Sequence, residues 1–171
     1  MQQRVTSVRQ AIALLGYENL QKWVALLLFT VDHRDHASNP LVEKALIRGR
    51  MMEMLAERVT GSKTVADSAF ITGILSFAHV LFGVKPDEFL EKLNLAIEIN
   101  EALLLRQGVL GTLLAITEHL DDEDYEAVEE KLPTVRLRSV DLFSIETKAT
   151  VEYQTSLTDD QRKGPQGKEA R

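Results

Sequence analysis

Apolar residues recur along this chain at the three- and four-residue spacing of α-helices. The densest case is residues 20–31, where the apolar positions follow i, i+3, i+4, i+7, i+8 and i+11 spacing: Leu20, Trp23, Val24, Leu27, Leu28 and Val31. Ala25, Leu26 and Phe29 fill the other side, so we expect this helix to be buried on several sides. No convincing strand pattern occurs. The chain is therefore expected to be all-α.

Local signals divide the pattern into separate helices. Asn39-Pro40 is a start signal, because asparagine caps a helix and proline fits its first turn, and Gly61 is a stop signal. Glycines also end or split the apolar pattern further along the chain. The predicted helices span residues 8–15, 20–31, 40–60, 65–82, 86–93, 94–107, 109–120 and 139–157.

The third predicted helix carries small residues on one face. Ala45, Gly49 and Ala56 would let another helix approach it closely. Its methionines have different expected roles. Met52 is predicted to fill the core, and Met51 and Met54 are predicted to be partly exposed.

The length of 171 residues suits one domain and a tail. We expect a helical domain over residues 1–157. Residues 158–171 contain glycine, proline, glutamine and charged residues with almost no apolar ones, which predicts a disordered polar tail.

The amino-acid composition argues against several classes of function. A net charge of -6 argues against nucleic acid as the main partner, because binding phosphates needs a basic surface. The absence of cysteine excludes disulfide and thiolate chemistry and fits a cytoplasmic protein. The longest apolar run, residues 23–29, falls far short of the ~20 residues that span a membrane. The N-terminus does not have the pattern of a secretory signal.

The four histidines are the candidate metal ligands. His33 and His36 are three positions apart, as in a zinc pair, but they fall where the second helix should end, which favours a solvated helix end. His79 is expected to be a core or semi-buried histidine with one hydrogen-bond partner. His119 lies among acidic residues that are typical of a solvated helix region. We therefore assign no catalytic, cofactor-binding or metal residue.

Four segments resemble, in order, the HDOD family of helical domains. Residues 7–16 (SVRQAIALLG) resemble its S-I-x-x-A-I-x-x-L-G element, and residues 20–28 (LQKWVALLL) resemble the next helix in proteins where an HDOD domain follows an EAL domain. The other two are residues 69–93 and 98–122, the second similar to the I-x-x-A-L-x-x-x-x-G-x-x-G-x-x-L segment. The resemblance covers roughly residues 5–157. HDOD domains are relatives of HD phosphohydrolases that lack the catalytic metal ligands, and this type occurs in bacterial cyclic di-GMP signalling.

The resemblance also identifies where a metal site would lie. In HD enzymes a similar apolar run leads into a His-Asp doublet, whereas here Gly73-Ile74-Leu75 leads into Ser76-Phe77. No His-Asp doublet occurs anywhere in the sequence, and phenylalanine cannot bind metal. The family has several helices before the element at residues 7–16, while this chain offers six residues, so we expect a bundle truncated at its N-terminal side.

These observations together predict an all-α, multi-helix HD-like or HDOD bundle that is not an enzyme and needs no cofactor. Its expected role is a signal-transduction domain that binds proteins, linked to cyclic di-GMP signalling. Expected partners are an EAL, GGDEF or receiver domain, or a second copy, with no nucleic acid and no membrane. One alternative is a metal-dependent phosphohydrolase with an atypical site from His33, His36, His79 or His119. Another is a helical scaffold without a signalling role.

Overall fold

A computed structural model describes residues 40–77, 80, 90 and 95–162 of the chain. The described elements are all helices, which confirms the predicted all-α class. They are α1 (Pro40–Thr60), α2 (Lys63–Leu75), α3 (Ile97–Leu105), α4 (Gly108–Asp121), α5 (Tyr125–Lys131), a 3₁₀ helix (Leu132–Val135) and α6 (Ser139–Arg162). The helices predicted over residues 8–15 and 20–31 lie outside the described residues, as does 86–93 apart from Leu90. His33, His36 and His79 lie outside them too.

Helix α1 begins and ends as the sequence predicts. It starts at Pro40 and ends at Thr60. Gly61 follows with a φ of 65°, and its N–H donates to the carbonyl of Glu57 at 2.9 Å. Glycine adopts this left-handed conformation without the cost that a side chain would add, so it stops the helix.

Helix α2 is shorter than predicted. It ends at Leu75 rather than at residue 82. The Ser76 hydroxyl donates to the carbonyl of Gly73 at 2.7 Å, and the Phe77 N–H bonds back to Ile74 at 3.3 Å. The Phe77 bond reaches back three residues instead of the four of the α-helical ladder, as is common where a helix ends. The apolar pattern continues past this point, and it therefore led to the wrong boundary.

The break between α3 and α4 lies at Arg106 and Gln107, just before the predicted break at Gly108. Arg106 adopts a left-handed φ of 55°, and Gly108, with a φ of 69°, opens α4. A Cβ added to Gly111 would lie 2.2 Å from the carbonyl carbon of Arg106. Glycine is therefore required where the first turn of α4 meets this corner.

One stretch of the described residues, Ile97–Asp121, is apolar and long enough to cross a membrane by length and composition, with an 18-residue window whose mean hydropathy is 1.3. The stretch is interrupted at Arg106, and 44% of that window is buried inside the fold. Core helices of soluble proteins pass the same test, so this property is weak evidence for membrane insertion.

Helices α1 and α2 cross with their backbones in close contact. A Cβ on Gly73 would lie 2.7 Å from the Cα of Gly49, which agrees with the small-residue face predicted on α1. Met52 is fully buried as predicted, but the prediction for Met51 and Met54 is wrong, since they are only 4% and 9% exposed. They are buried because α1 packs against α2, α4 and α6. Other fully buried core residues are Leu55, Ile99, Leu113, Leu114, Ile116, Leu132 and Leu142.

Helix α6 runs antiparallel to α1. Arg58 near the end of α1 pairs with Asp141 near the start of α6 at 3.3 Å, and Arg50 pairs with Glu152 at 2.6 Å. α6 begins at the predicted Ser139 and continues to Arg162, beyond the predicted end at Leu157.

Candidate functional site

The most unusual polar group in the described fold is Arg48, a cation of α1 that is only 9% exposed. Its Nη1 donates to the Ser76 hydroxyl at 2.9 Å, and its Nη2 donates to the Asp121 carboxylate. Its Cζ lies 4.0 Å from the centroid of the Phe77 ring, which is cation–π geometry. The guanidinium thus joins α1 to the end of α2 and the end of α4.

The local sequence explains why Arg48 lies at this junction. The close approach of Gly49 to Gly73 brings α1 against the last turns of α2. Arg48 precedes Gly49, so its side chain meets the turn that Ser76 forms. The Ser76 hydroxyl donates to the Gly73 carbonyl and accepts from Arg48, so it connects the last turn of α2 to the guanidinium.

A second arginine extends this arrangement to the corner between α3 and α4. Arg106 donates from Nε and Nη2 to the two oxygens of Glu118, each at 2.7 Å. Glu118 Oε1 also lies 3.9 Å from Nη1 of Arg48. Arg106, Glu118, Arg48 and Asp121 form a chain of alternating sign whose formal charges cancel. We call these four residues with Ser76 and Phe77 the Arg48 cluster.

One polar atom of the Arg48 cluster is left without a partner. Nε of Arg48 is buried and makes no hydrogen bond. A buried hydrogen-bonding group without a partner costs about 1–3 kcal/mol, and more when the group is charged. The cluster is therefore held in place by its surroundings at some expense in stability.

Two cavities lie beside Arg48. The larger, about 500 Å³, is lined by the ends of α2 and α4 and includes Phe77, Arg106 and His119. The smaller, about 320 Å³, lies between the start of α1, the end of α4 and α6. Glu146 lines the smaller cavity, and burial together with the charge of Asp121 raises its pKa.

His119 lies at the edge of the larger cavity and is half-buried. Its Nδ1 lies 3.4 Å from Asp124, whose carboxylate also accepts a hydrogen bond from the Ala127 N–H and caps α5. The neighbouring carboxylates of Glu118 and Asp121 bind arginines instead. Among the described residues, no three His, Asp or Glu side chains converge as a metal site requires.

Ser76 and Phe77 are the residues that both the family resemblance and the contacts of Arg48 single out. The resemblance placed these residues where an HD enzyme has its metal-binding doublet, and both contact Arg48. Sequence reasoning missed Arg48 itself. No local pattern indicates its burial, because its partners Ser76 and Asp121 lie 28 and 73 positions away.

Comparisons with known proteins identify two relatives. The chain is 29% identical over 126 residues to the cyclic di-GMP phosphodiesterase CdgJ of Vibrio cholerae serotype O1, a match that covers 74% of the chain and 29% of CdgJ. It is 26% identical over 132 residues to the uncharacterized protein YuxH of Bacillus subtilis (strain 168), which covers 76% of the chain and 32% of YuxH. The chain thus spans about a third of the length of these relatives. No family model and no solved structure matches it.

Proposed function

We propose that this chain is a non-catalytic, HDOD-like signalling module that acts by binding protein partners in cyclic di-GMP signalling. Its similarity to part of CdgJ supports the link to this second messenger. The observation that carries the non-catalytic assignment is the Arg48 cluster. A buried guanidinium stacks on Phe77 at the position where the resemblance expects a His-Asp doublet.

The chemistry of the cluster supports binding over hydrolysis. Divalent metal sites need carboxylate or imidazole groups with free lone pairs that converge on one point. Glu118 and Asp121 are instead engaged by Arg106 and Arg48. A metal ion beside the guanidinium of Arg48 would also face charge repulsion, which is strong in a partly buried setting.

The first test is enzymatic. Purified chain is assayed for cyclic di-GMP hydrolysis with Mn²⁺ or Mg²⁺, with CdgJ as the active reference. We expect no turnover above the protein-free rate. Turnover that disappears in His79→Ala or Ser76→Ala would contradict the proposal and favour a phosphohydrolase with an atypical site.

The second test is binding. Purified EAL, GGDEF and receiver-domain proteins from the same genome are titrated with labelled full-length chain, and their cyclic di-GMP turnover is measured alongside. We expect saturable binding to at least one of them, with a change in its turnover. Failure to bind any of them would contradict the signalling role.

A further inference from the structure

Helix α6 exposes an apolar face. Val140, Phe143 and Val151 are 62%, 42% and 53% exposed, and Thr147 lies between them. The positions follow i, i+3, i+7 and i+11 spacing, so they form one face of the helix, which we call the α6 stripe. Leu142 and Ala149 are fully buried on the side that packs on the domain. By helical geometry the stripe points away from them.

The first residue of α1 lies near this stripe. Pro40, the first residue of α1, lines the smaller cavity together with Glu146 and Thr150 of α6. Glu146 and Thr150 each lie three positions after a stripe residue, Phe143 and Thr147, and are therefore their neighbours on the helix surface. Pro40 is consequently within reach of the stripe.

A second observation also places the start of α1 close to α6. Burial raises the pKa of Tyr153 in α6, and the charge of Glu43 in the first turn of α1 raises it further. The beginning of α1 therefore lies alongside residues 146–153 of α6, where the stripe ends.

The sequence before α1 contains a segment that matches the stripe in length and chemistry. Residues 20–31 are predicted to form a helix that is apolar on several sides, about 18 Å long. The stripe, from Val140 to Val151, is about 17 Å long. Residues 32–39 can span about 26 Å when extended, which is ample to connect the segment to Pro40.

We infer that residues 20–31 pack along the α6 stripe and cover its exposed apolar side chains. A helix that is apolar on several sides must bury more than one side. The α6 stripe is an apolar face close to Pro40, the first residue of α1. This packing is independent of the proposed signalling role, and its test reads out packing without any signalling partner.

The absence of cysteine in the chain allows a direct test with engineered cysteine pairs. Leu26→Cys and Leu27→Cys, which sample two sides of the segment, are each combined with Val151→Cys in the full chain and treated with a short bismaleimide crosslinker. In the matched control, Leu104→Cys takes the place of Val151→Cys. Leu104 lies on α3 and is similarly exposed, at 47%. Circular dichroism and thermal melting confirm that each variant folds as the parent does.

We expect an intrachain crosslink to Val151→Cys from at least one segment position, formed about tenfold faster than the crosslink to Leu104→Cys, because docking raises the effective concentration. Equal rates, or no crosslink from either segment position, would overturn the inference. Crosslinked dimers as the main product of the single variant Val151→Cys would assign the stripe to a second copy of the chain instead.

Hydrogen exchange gives a measurement that needs no crosslinker. In full-length Phe143→Asp we expect amides of residues 20–31 to exchange about tenfold faster than in the parent, because the charge blocks docking. Leu104→Asp serves as the control and should leave these amides unchanged. Unchanged exchange in Phe143→Asp would contradict the inference.

Discussion

The two sides of α1 are built in different ways. Toward α2, the helices meet backbone to backbone, with Gly73 against Gly49. Toward α6, charged side chains bridge the helices through Arg50–Glu152 and Arg58–Asp141, and Leu142 and Ala149 of α6 are fully buried. The first contact leaves no room for added volume. The second includes ion pairs between side chains, so the two contacts should differ in how they respond to added volume and to salt.

The largest effect is expected from Gly73→Val. Its Cβ would lie 2.7 Å from the Cα of Gly49 and 2.9 Å from the Arg48 carbonyl, and these backbone atoms can yield only if the helices separate. We expect a loss of about 3 kcal/mol in the free energy of unfolding, measured by urea denaturation. Thr64→Val, at an exposed site of the same helix, controls for the helix propensity of valine. Equal midpoints for the two variants would contradict the close approach of α1 and α2.

Arg48→Met should have the next largest effect. It leaves the Asp121 carboxylate and the Ser76 hydroxyl without their cationic partner. Asp121 is 38% exposed, so water offsets part of the penalty, and we expect a loss of about 2 kcal/mol, below that of a fully buried pair. Adding Asp121→Asn should recover part of this loss in a double-mutant cycle. An Arg48→Met variant as stable as the parent would show that the cluster does not hold α1, α2 and α4 together.

The α6 side is tested by Glu152→Gln. The hydrogen bond to Glu152 raises the pKa of Arg50, burial lowers it, and the hydrogen bond to Glu53 raises it further, with a net increase. The same hydrogen bond lowers the pKa of Glu152, so the pair is charged at neutral pH. Arg50 is 37% exposed, and we expect a loss below about 1 kcal/mol. The loss should vanish in concentrated salt, whereas that of Gly73→Val should persist. A loss that salt leaves unchanged would mean that packing, rather than charge, holds α6.

The smallest expected effect depends on pH and comes from Glu146→Gln. Burial and Asp121 raise the pKa of Glu146, so its contribution to stability is present below its unfolded pKa and is lost as pH rises through its folded pKa. The variant should therefore be more stable than the parent at neutral pH, by less than about 0.5 kcal/mol, and equal to it in acid.

Glu53→Gln should change stability at neutral pH in the opposite direction. Burial would raise the pKa of Glu53, but hydrogen bonds from Lys63 and Arg50 outweigh it and hold the pKa below its usual value. Its contribution is present above the unfolded pKa and lost as pH falls through the folded one, so this variant should lose stability at neutral pH. Thermal melting of both variants across the pH range checks the pair. If both variants changed stability at neutral pH in the same direction, the opposite pKa shifts of Glu146 and Glu53 would be contradicted.

The parts of the fold that local signals control were predictable. Pro40 and Gly61 set the ends of α1 through proline geometry and glycine conformation, which depend on neighbours in the sequence. The end of α2 was not predictable from apolar spacing, because that spacing continues through Phe82 while the backbone turns after Leu75, where the Phe77 N–H bonds the Ile74 carbonyl.

The candidate site was predictable only in part. Family resemblance directed attention to Ser76 and Phe77, but their partner Arg48 has the sequence context of a solvated helical arginine. Its burial results from two contacts distant in the sequence, to α2 and to Asp121 at the end of α4. Such contacts arise from tertiary packing and leave no periodic trace along the chain.

The left-handed corner at Arg106 has a consequence for how the domain opens. A non-glycine residue in this conformation costs about 1–2 kcal/mol, and here the side chain of the same residue binds Glu118, which in turn approaches Arg48. Opening the corner releases Glu118, and releasing Glu118 weakens the hold on α1. The junction of α3 and α4 and the middle of α1 should therefore open as one cooperative unit, with a shared opening free energy in native-state hydrogen exchange.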